Sequence, residues 1–211
     1  MDQHTNKFIP KKDEVYREDW FPTNIFWIDH PTAEKTNSKL KRDINKWHDR
    51  DTKGIVRSNS LGWHSAVDMH NRSEYNHFTK WLLKSIERIF DNLNYHEDSI
   101  AVCDNMWANI NKRYSHNRNH NHPGALWSGV YYVKADKDSG NLNLYDPRLQ
   151  AHTTHHYTNG EKLHDINYTR MEFAPTTGKC LIFPGWLIHD VSPSKSDNDR
   201  VIISFNIGQS P

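Results

Sequence analysis

The chain has 211 residues and a formal net charge of +1, which together exclude several classes of protein. A nearly balanced charge gives no bulk attraction to nucleic acid. No run of about 18 apolar residues and no basic-then-apolar leader is present, so we expect neither a membrane span nor secretion. Cys103 and Cys180 are too few for a disulfide framework, and we expect them to be buried free thiols in a cytoplasmic protein.

Helical periodicity dominates the first half of the chain. Residues 1–20 are charged and polar, and we expect a loosely held lead-in before a first strand at 21–28. Apolar residues recur at helical spacing over 36–48 and again over 73–94, where Ser73 has the chemistry of an N-cap. The sequence therefore predicts two helices that precede most of the strands.

After residue 94 the apolar residues follow a period of two, with Gly and Pro between the runs. The candidate strands are 100–111, 126–134, 140–146, 166–173, 179–184, 187–191 and 200–208. The segment 51–70 has no clear periodicity and is expected to be a loop. Seven short strands after two helices predict a mainly β fold, an antiparallel sandwich or jelly roll with the helices packed on one face.

A pair of histidines, His120 and His122, directly precedes Pro123 and a predicted strand. Residues i and i+2 of an extended chain point the same way, so both imidazoles can converge on one point. Pro123 also favours an extended conformation at His122. The alternative is an ordinary polar loop, since 115–122 is rich in Asn and His.

Two further residues can complete a metal site. His189 stands among apolar residues, where a histidine is commonly a packed side chain with one satisfied hydrogen bond. With His120 and His122 it would supply a third ligand, and three protein ligands leave coordination positions open for substrates. Asp146 either forms an Asp-Pro turn or supplies a carboxylate ligand, and Arg148 is an alternative partner for it.

Arg200 opens the last apolar strand and is a candidate anion-binding residue. A guanidinium binds a carboxylate with two hydrogen bonds and stays charged at any relevant pH. The polar residues before it are also compatible with an exposed turn. Four other histidines, which we expect on a loop near the substrate entrance rather than in a second metal site, are His152, His155, His156 and His164.

Taken together, these residues resemble the 2-oxoglutarate/Fe(II)-dependent oxygenases, and more closely a branch found in bacteria and phages. The similarity spans about residues 21–208. The motifs that carry it are Phe21-Pro22, Trp107-Ala108-Asn109-Ile110, His120-x-His122-Pro123, Ser128 to Val133, Asp146-Pro147-Arg148, Phe183-Pro184, His189-x-Val191, and Arg200 with Ser204-Phe205-Asn206.

The resemblance implies a double-stranded β-helix that binds Fe(II) at its open end, with His189 as the distal ligand. It implies that Arg200 binds the far carboxylate of 2-oxoglutarate and that Tyr132 donates a hydrogen bond to the same group. Iron and the cosubstrate would leave one coordination position for O2. The implied products are succinate, CO2 and a hydroxylated substrate.

The sequence departs from the commonest pattern of that superfamily at two positions. The usual His-x-Asp or His-x-Glu is replaced by a second histidine, His122, so the site is either all-histidine or takes Asp146 from another strand. We favour iron with His189, one or both histidines of the pair, and Asp146; an all-histidine site would favour Zn(II), Ni(II) or Mn(II). Ile202 stands where many relatives carry Ser or Thr, and Ser204 can contact the cosubstrate only from a different depth.

Other functions remain compatible with the sequence. One is a cupin-like metal-binding protein or metal-dependent isomerase that does not use 2-oxoglutarate, and another is a noncatalytic jelly-roll binding module. The substrate, a small molecule or a peptide, is not identified, but 51–72 and 148–166 are candidates for contact with it because long irregular loops rim such sites. We expect 21–211 to form one double-stranded β-helix domain. No feature demands or excludes a homo-oligomer.

Overall fold

Antiparallel strands make up most of the computed structural model, which describes residues 19–153 and 168–210. Short 3₁₀ turns lie at Met69–Asn71, Ser73–Tyr75 and Leu149–Thr153. The strands and helices are β1 (Phe26–Asp29), α1 (Ala33–Arg50), β2 (Asn59–His64), α2 (Asn76–Asn92), β3 (Ile100–His120), β4 (Trp127–Lys134), β5 (Leu142–Tyr145), β6 (Arg170–Phe173), β7 (Lys179–Pro184), β8 (His189–Val191) and β9 (Arg200–Ser210).

One curled sheet connects these strands in the order β1-β7-β4-β9-β3-β8-β5-β6, and β2 pairs with β3 beside this path. The long strand β3 pairs with β9 and then with β8, in addition to β2. Its first half pairs with β9 up to Asn111 opposite Arg200, and its end pairs with β8, with His120 opposite His189. Between these pairings Tyr114 adopts a φ of 66° and its N–H donates to the Ser194 carbonyl, 2.8 Å away. This bulge bends the strand and lets the sheet close around a cavity.

The two faces of the sheet have different partners, as β4 illustrates. Tyr131 points to the helices, with its ring centroid 4.9 Å from that of Phe78 on α2, and belongs to the larger apolar core. Its neighbour Tyr132 points to the opposite face, where it packs in a smaller cluster with residues such as Leu142 and Ile202. Both helices therefore cover one face of the sheet. The predicted fold class, a mainly β double-stranded β-helix or jelly roll with helices on one face, is confirmed.

The main errors in the predicted elements concern polar strands. The segment 51–70, predicted as loop, contains β2, and β3 does not end at residue 111 but runs through the Asn- and His-rich stretch to His120. These strands lack an apolar period because they border the cavity mouth rather than the core. Ser73 does not cap α2, because it lies in a 3₁₀ turn and the helix begins at Asn76.

Cys103 and Cys180 are buried free thiols, as expected. Burial, with a smaller effect of Asp104, raises the pKa of the Cys103 thiol to about 12. A buried neutral thiol behaves as a small apolar side chain. In the described part of the chain, no helix has the length and apolar character needed to cross a bilayer.

Candidate metal and anion site

Three histidines meet at the end of β3 and the start of β8. His120 and His189 are directly opposite each other in the antiparallel pair, and His122 follows in the turn after β3. The ring centroids of His120 and His189 are 4.2 Å apart, and each lies 5.1 Å from that of His122. One ring nitrogen from each histidine lies within 4.8 Å of the other two. The predicted convergence of these three side chains is therefore present in the structure.

Backbone carbonyls fix the orientation of two of the rings. The Nδ1 atom of His120 is 2.7 Å from the carbonyl oxygen of Arg118, and that of His189 is 2.9 Å from the carbonyl oxygen of Leu187. A carbonyl accepts only, so each Nδ1 carries the proton and each Nε2 keeps a lone pair. This is the arrangement found around histidines that bind metals.

The environment keeps the three imidazoles neutral. Burial is the main cause that lowers the pKa of His189 to about 3; the neighbouring His120 and His122 contribute to this lowering, and its hydrogen bond to Leu187 opposes it. Burial and His120 lower the pKa of His122 to about 4, and burial also lowers the pKa of His120. Neutral imidazoles are the form that coordinates a metal.

An amide network lies behind His122. The Nδ2 atom of Asn206 is 3.4 Å from Nδ1 of His122 and donates to Oδ1 of Asn105 over 2.7 Å. The Ser128 hydroxyl donates to Oδ1 of Asn206, also over 2.7 Å. These contacts fix the Asn206 amide and give His122 a polar neighbour. In the sequence Asn206 stands out only as part of the motif Ser204-Phe205-Asn206.

Arg200 is a buried cation with free hydrogen-bonding capacity. It is 1% exposed, and its Nη1 donates to the carbonyl oxygens of Ser139 (2.5 Å) and Gly140 (3.0 Å). Gly140 has a φ of 93°, and a Cβ there would lie 2.1 Å from the Ser192 carbonyl oxygen, so this position requires glycine. The Nε and Nη2 atoms of Arg200 have no hydrogen-bond partner. Burial lowers the pKa of Arg200 and Tyr132 raises it, but a guanidinium stays charged.

Tyr132 and Ser204, both predicted to touch the cosubstrate, line the same cavity as Arg200. Burial raises the pKa of the Tyr132 phenol to about 12, against an opposing effect of Arg200, so it is a neutral donor. Ser204 is on the cavity side of β9, opposite Trp107 of β3. It lies four residues beyond Arg200, about 13 Å along a strand, and thus at a different depth. Their roles toward a cosubstrate stay predictions.

Asp146 is not in the histidine cluster, so its position does not support the predicted carboxylate ligand. Its carboxylate accepts hydrogen bonds from Nε (3.0 Å) and Nη2 (2.8 Å) of Arg148, the alternative partner. Both residues line a separate cleft. A different carboxylate, Asp190, follows His189 directly but accepts from the Tyr145 hydroxyl (2.6 Å) and the Asn143 amide (2.5 Å).

The three histidines and Arg200 share a cavity of about 490 Å³. The predicted contact segment 51–72 contributes to its walls, with Arg57, Ser58, His64 and Val67. No spacing pattern in the sequence marks these four residues individually. Within the other predicted contact segment, residues 154–166 fall outside the described residues, as do His155, His156 and His164. Arg148 faces the separate cleft.

The curled antiparallel sheet, with a histidine triad inside its cavity, defines the double-stranded β-helix class. Residues 105–206, just under half of the chain, match the family model described as "Putative 2OG-Fe(II) oxygenase". The matched stretch contains all three histidines, Tyr132 and Arg200. Comparison with curated proteins gives no match.

Solved structures show the same fold at low sequence identity. A prolyl-4-hydroxylase from Pseudomonas putida superposes with a TM-score of 0.62 at 13% identity, over 90% of this chain and 94% of its own. HygX from Streptomyces hygroscopicus, with nickel and 2-oxoglutarate bound, has a TM-score of 0.60 at 10% identity, over 88% and 83%. A prolyl hydroxylase from Trichoplax adhaerens, in complex with a peptide fragment, has a TM-score of 0.58 at 13% identity, over 87% and 82%.

Proposed function

We propose that this protein is a non-haem Fe(II)- and 2-oxoglutarate-dependent dioxygenase that hydroxylates a C–H bond of its substrate. The observation that carries the proposal is Arg200: a buried guanidinium with two unpartnered nitrogen atoms in the same cavity as the histidine triad. Leaving a buried cation without partners is costly unless an anion binds there. The family match and the 2-oxoglutarate-bound structural neighbour HygX support the identity of that anion.

The donor set fits a first-row transition metal. His120, His122 and His189 would hold it as neutral nitrogen ligands, and imidazole suits iron, nickel, copper and zinc. Three protein ligands leave positions for a chelating cosubstrate and O2. Asp146 is excluded from our proposed ligand set because Arg148 binds it elsewhere. The proposed site is therefore all-histidine.

Each remaining residue has a definable part in binding. Arg200 would hold the distal carboxylate of 2-oxoglutarate through Nε and Nη2, and the neutral Tyr132 phenol would donate to the same group. The apolar side chains of Val130, Leu142 and Ile202 would exclude water from the carbon chain. Bound iron would supply the redox chemistry, in which 2-oxoglutarate and O2 give succinate and CO2, with one oxygen atom of O2 in succinate and the other in the C–H bond of the substrate.

Anaerobic addition of Fe(II) and then 2-oxoglutarate tests this proposal. We expect a visible charge-transfer band in the wild-type protein, and slow succinate formation when O2 is admitted with ascorbate. Arg200→Gln should weaken 2-oxoglutarate binding while leaving Fe(II) binding intact. Absence of 2-oxoglutarate binding by the iron-loaded wild type would rule out the proposal.

The all-histidine site also favours a second candidate, a cupin-like metal protein that does not use 2-oxoglutarate. A carboxylate-free ligand set leaves the metal more cationic and is compatible with Zn(II) or Ni(II). That function predicts tight metal binding with no change in the metal spectrum on adding 2-oxoglutarate. The same titration therefore separates the two candidates, and a protein that binds no metal would be the noncatalytic module.

A further inference from the structure

The part of the cavity nearest the solvent contains an arginine that the proposed chemistry does not use. Arg57 is exposed at the cavity mouth, and its guanidinium has no hydrogen-bond or ion-pair partner within 19–153 and 168–210. Its backbone N–H donates to Oδ1 of Asn59 and its carbonyl accepts from Arg118, so only the side chain is free. A free cation beside a metal site is a candidate substrate contact.

The backbone around Arg57 is tied to the strand that carries the metal ligands. The N–H of Arg118 donates to the Ser58 carbonyl over 3.1 Å, and Nη2 of Arg118 donates to the Arg57 carbonyl over 3.1 Å. The Ser58 hydroxyl accepts from the Asn117 amide (3.0 Å) and lies 3.4 Å from Nε2 of His120. Arg57 is thus held one residue away from a side chain that touches the triad.

The charged side chains among the described residues of the cavity wall are all positive. Among the described residues that line it, the charged side chains are Arg57 and Arg200, and no Asp or Glu is present. Exposed Arg118 adds a third guanidinium beside Arg57. The carboxylate of Asp190, the residue after His189, is bound by Tyr145 and Asn143. The electrostatic field at the mouth therefore favours anions.

We propose that the substrate carries an anionic group, a carboxylate or a phosphate, which Arg57 binds at the cavity mouth while the reacting C–H bond faces the histidines. This inference rests on the proposed function and assigns its substrate class. Arg200 is buried and binds the cosubstrate in the proposed function, whereas Arg57 is exposed, so the two anions occupy different parts of the same cavity. A volume of about 490 Å³ admits a small acid, or the acidic end of a longer molecule, beside 2-oxoglutarate.

Anion binding to the anaerobic protein loaded with Fe(II) and 2-oxoglutarate tests this. The probes are inorganic phosphate, benzoate and, as the neutral match of benzoate, benzamide, each followed by ligand-observed NMR or calorimetry. Saturating 2-oxoglutarate occupies Arg200, so the probes cannot bind to that arginine. We expect phosphate or benzoate to bind and benzamide not to bind; the anion that binds distinguishes phosphate-bearing from carboxylate-bearing substrates.

Variants assign the binding to Arg57. Arg57→Ala should weaken anion binding about fivefold or more. Arg57→Lys should weaken it less, because the positive charge remains although the two parallel hydrogen bonds of the planar guanidinium are lost. Arg88→Ala, which removes an exposed arginine of α2, should have no effect. The proposal is overturned if neither anion binds, if benzamide binds as tightly as benzoate, or if Arg57→Ala binds as the wild type does.

Failure of this inference can be told apart from failure of the proposed function. If 2-oxoglutarate does not bind but an anion still binds in an Arg57-dependent manner, the anion site stands and the dioxygenase assignment fails. If 2-oxoglutarate binds and the anions do not, only the substrate class fails. If 2-oxoglutarate displaces the bound anion and Arg200→Gln abolishes its binding, the anion binds at the buried Arg200 and the proposal is overturned.

Discussion

His120 and His189 face each other across the antiparallel pair of β3 and β8, with ring centroids 4.2 Å apart. Two ligands of the proposed metal site are therefore placed by strand register and not by loop conformation. A shift of one residue in this pairing would turn one imidazole to the other face of the sheet. The site thus depends on the same hydrogen bonds that close the barrel.

Replacing any one of His120, His122 or His189 by Ala should weaken metal binding at least about tenfold, because two imidazoles rarely retain a divalent ion against competition. Metal content after dialysis against a weak chelator measures this. His96→Ala is the control, since His96 is exposed and is not part of the histidine cluster. Full metal retention in all three variants would contradict the site.

Asp146→Asn should leave metal affinity unchanged. Its carboxylate is bound by Arg148 and lines a different cleft from the histidines. The same dialysis assay applies, with His189→Ala as the positive control. A loss of metal comparable to that of His189→Ala would restore Asp146 as a ligand.

Arg200→Gln should raise the dissociation constant for 2-oxoglutarate about 10- to 100-fold, because two charge-assisted hydrogen bonds are lost. Titration of the iron-loaded protein, followed by its charge-transfer band, measures the change. Since Arg200 is buried, thermal unfolding must first show that the variant is folded, and Arg200→Lys gives a second test with the charge kept. Unchanged affinity in both variants would place the cosubstrate elsewhere.

Asn206→Ala should reduce metal affinity about tenfold, the usual size of an effect from a residue that orients a ligand. The variant removes the polar neighbour of His122 Nδ1 and breaks the contacts with Asn105 and Ser128. Asn92→Ala, at the exposed end of α2, serves as control. A folded variant with wild-type affinity would show that His122 needs no such support.

His30 should make the protein less stable in acid. It is buried, and burial, followed by repulsion from His77, lowers its pKa below the usual 6.5. Its Nδ1 accepts the Thr32 N–H, so protonation would lose that bond. The unfolded chain therefore binds the proton more readily, and stability is present above pH 6.5 and declines below it.

Urea unfolding at pH 7.5 and pH 5.5 measures this effect. His30→Asn keeps an acceptor for Thr32 and cannot titrate, so its stability should fall less between these values than that of the wild type. His96→Asn, an exposed substitution, should behave as the wild type. An equal loss in His30→Asn would assign the acid sensitivity to the other buried histidines.

The apolar strands and helices could be predicted from the sequence because each has one face in the core. The strand at 179–184 was predicted with the bounds it has, and β4 within one residue. The polar strand β2 and the outer half of β3 could not be predicted, because cavity-lining Asn, Ser and His give no apolar period. Pairing with neighbouring strands, a long-range effect, determines their conformation.

The candidate site was predictable only where spacing restricts geometry. His120 and His122 were expected to converge because i and i+2 point alike in an extended chain, and the structure brings them to His189. Asp146 was predicted as a carboxylate ligand, but it lies against Arg148 outside the histidine cluster, and sequence cannot show whether a carboxylate faces a metal or its neighbouring arginine. Arg57 was not singled out because its position depends on tertiary hydrogen bonds to β3.

The part of β3 around the bend at Tyr114 should tolerate few insertions or deletions. Asn111 of this strand pairs with Arg200, and His120 pairs with His189. The length of β3 between these residues therefore sets the distance between the anion-binding arginine and the proposed metal site. Adding or deleting a residue between these two pairings would change the distance from Arg200 to the histidine triad, so a cosubstrate held by Arg200 would no longer reach the metal in the same position. Length changes in the turn before β3 would leave that spacing intact.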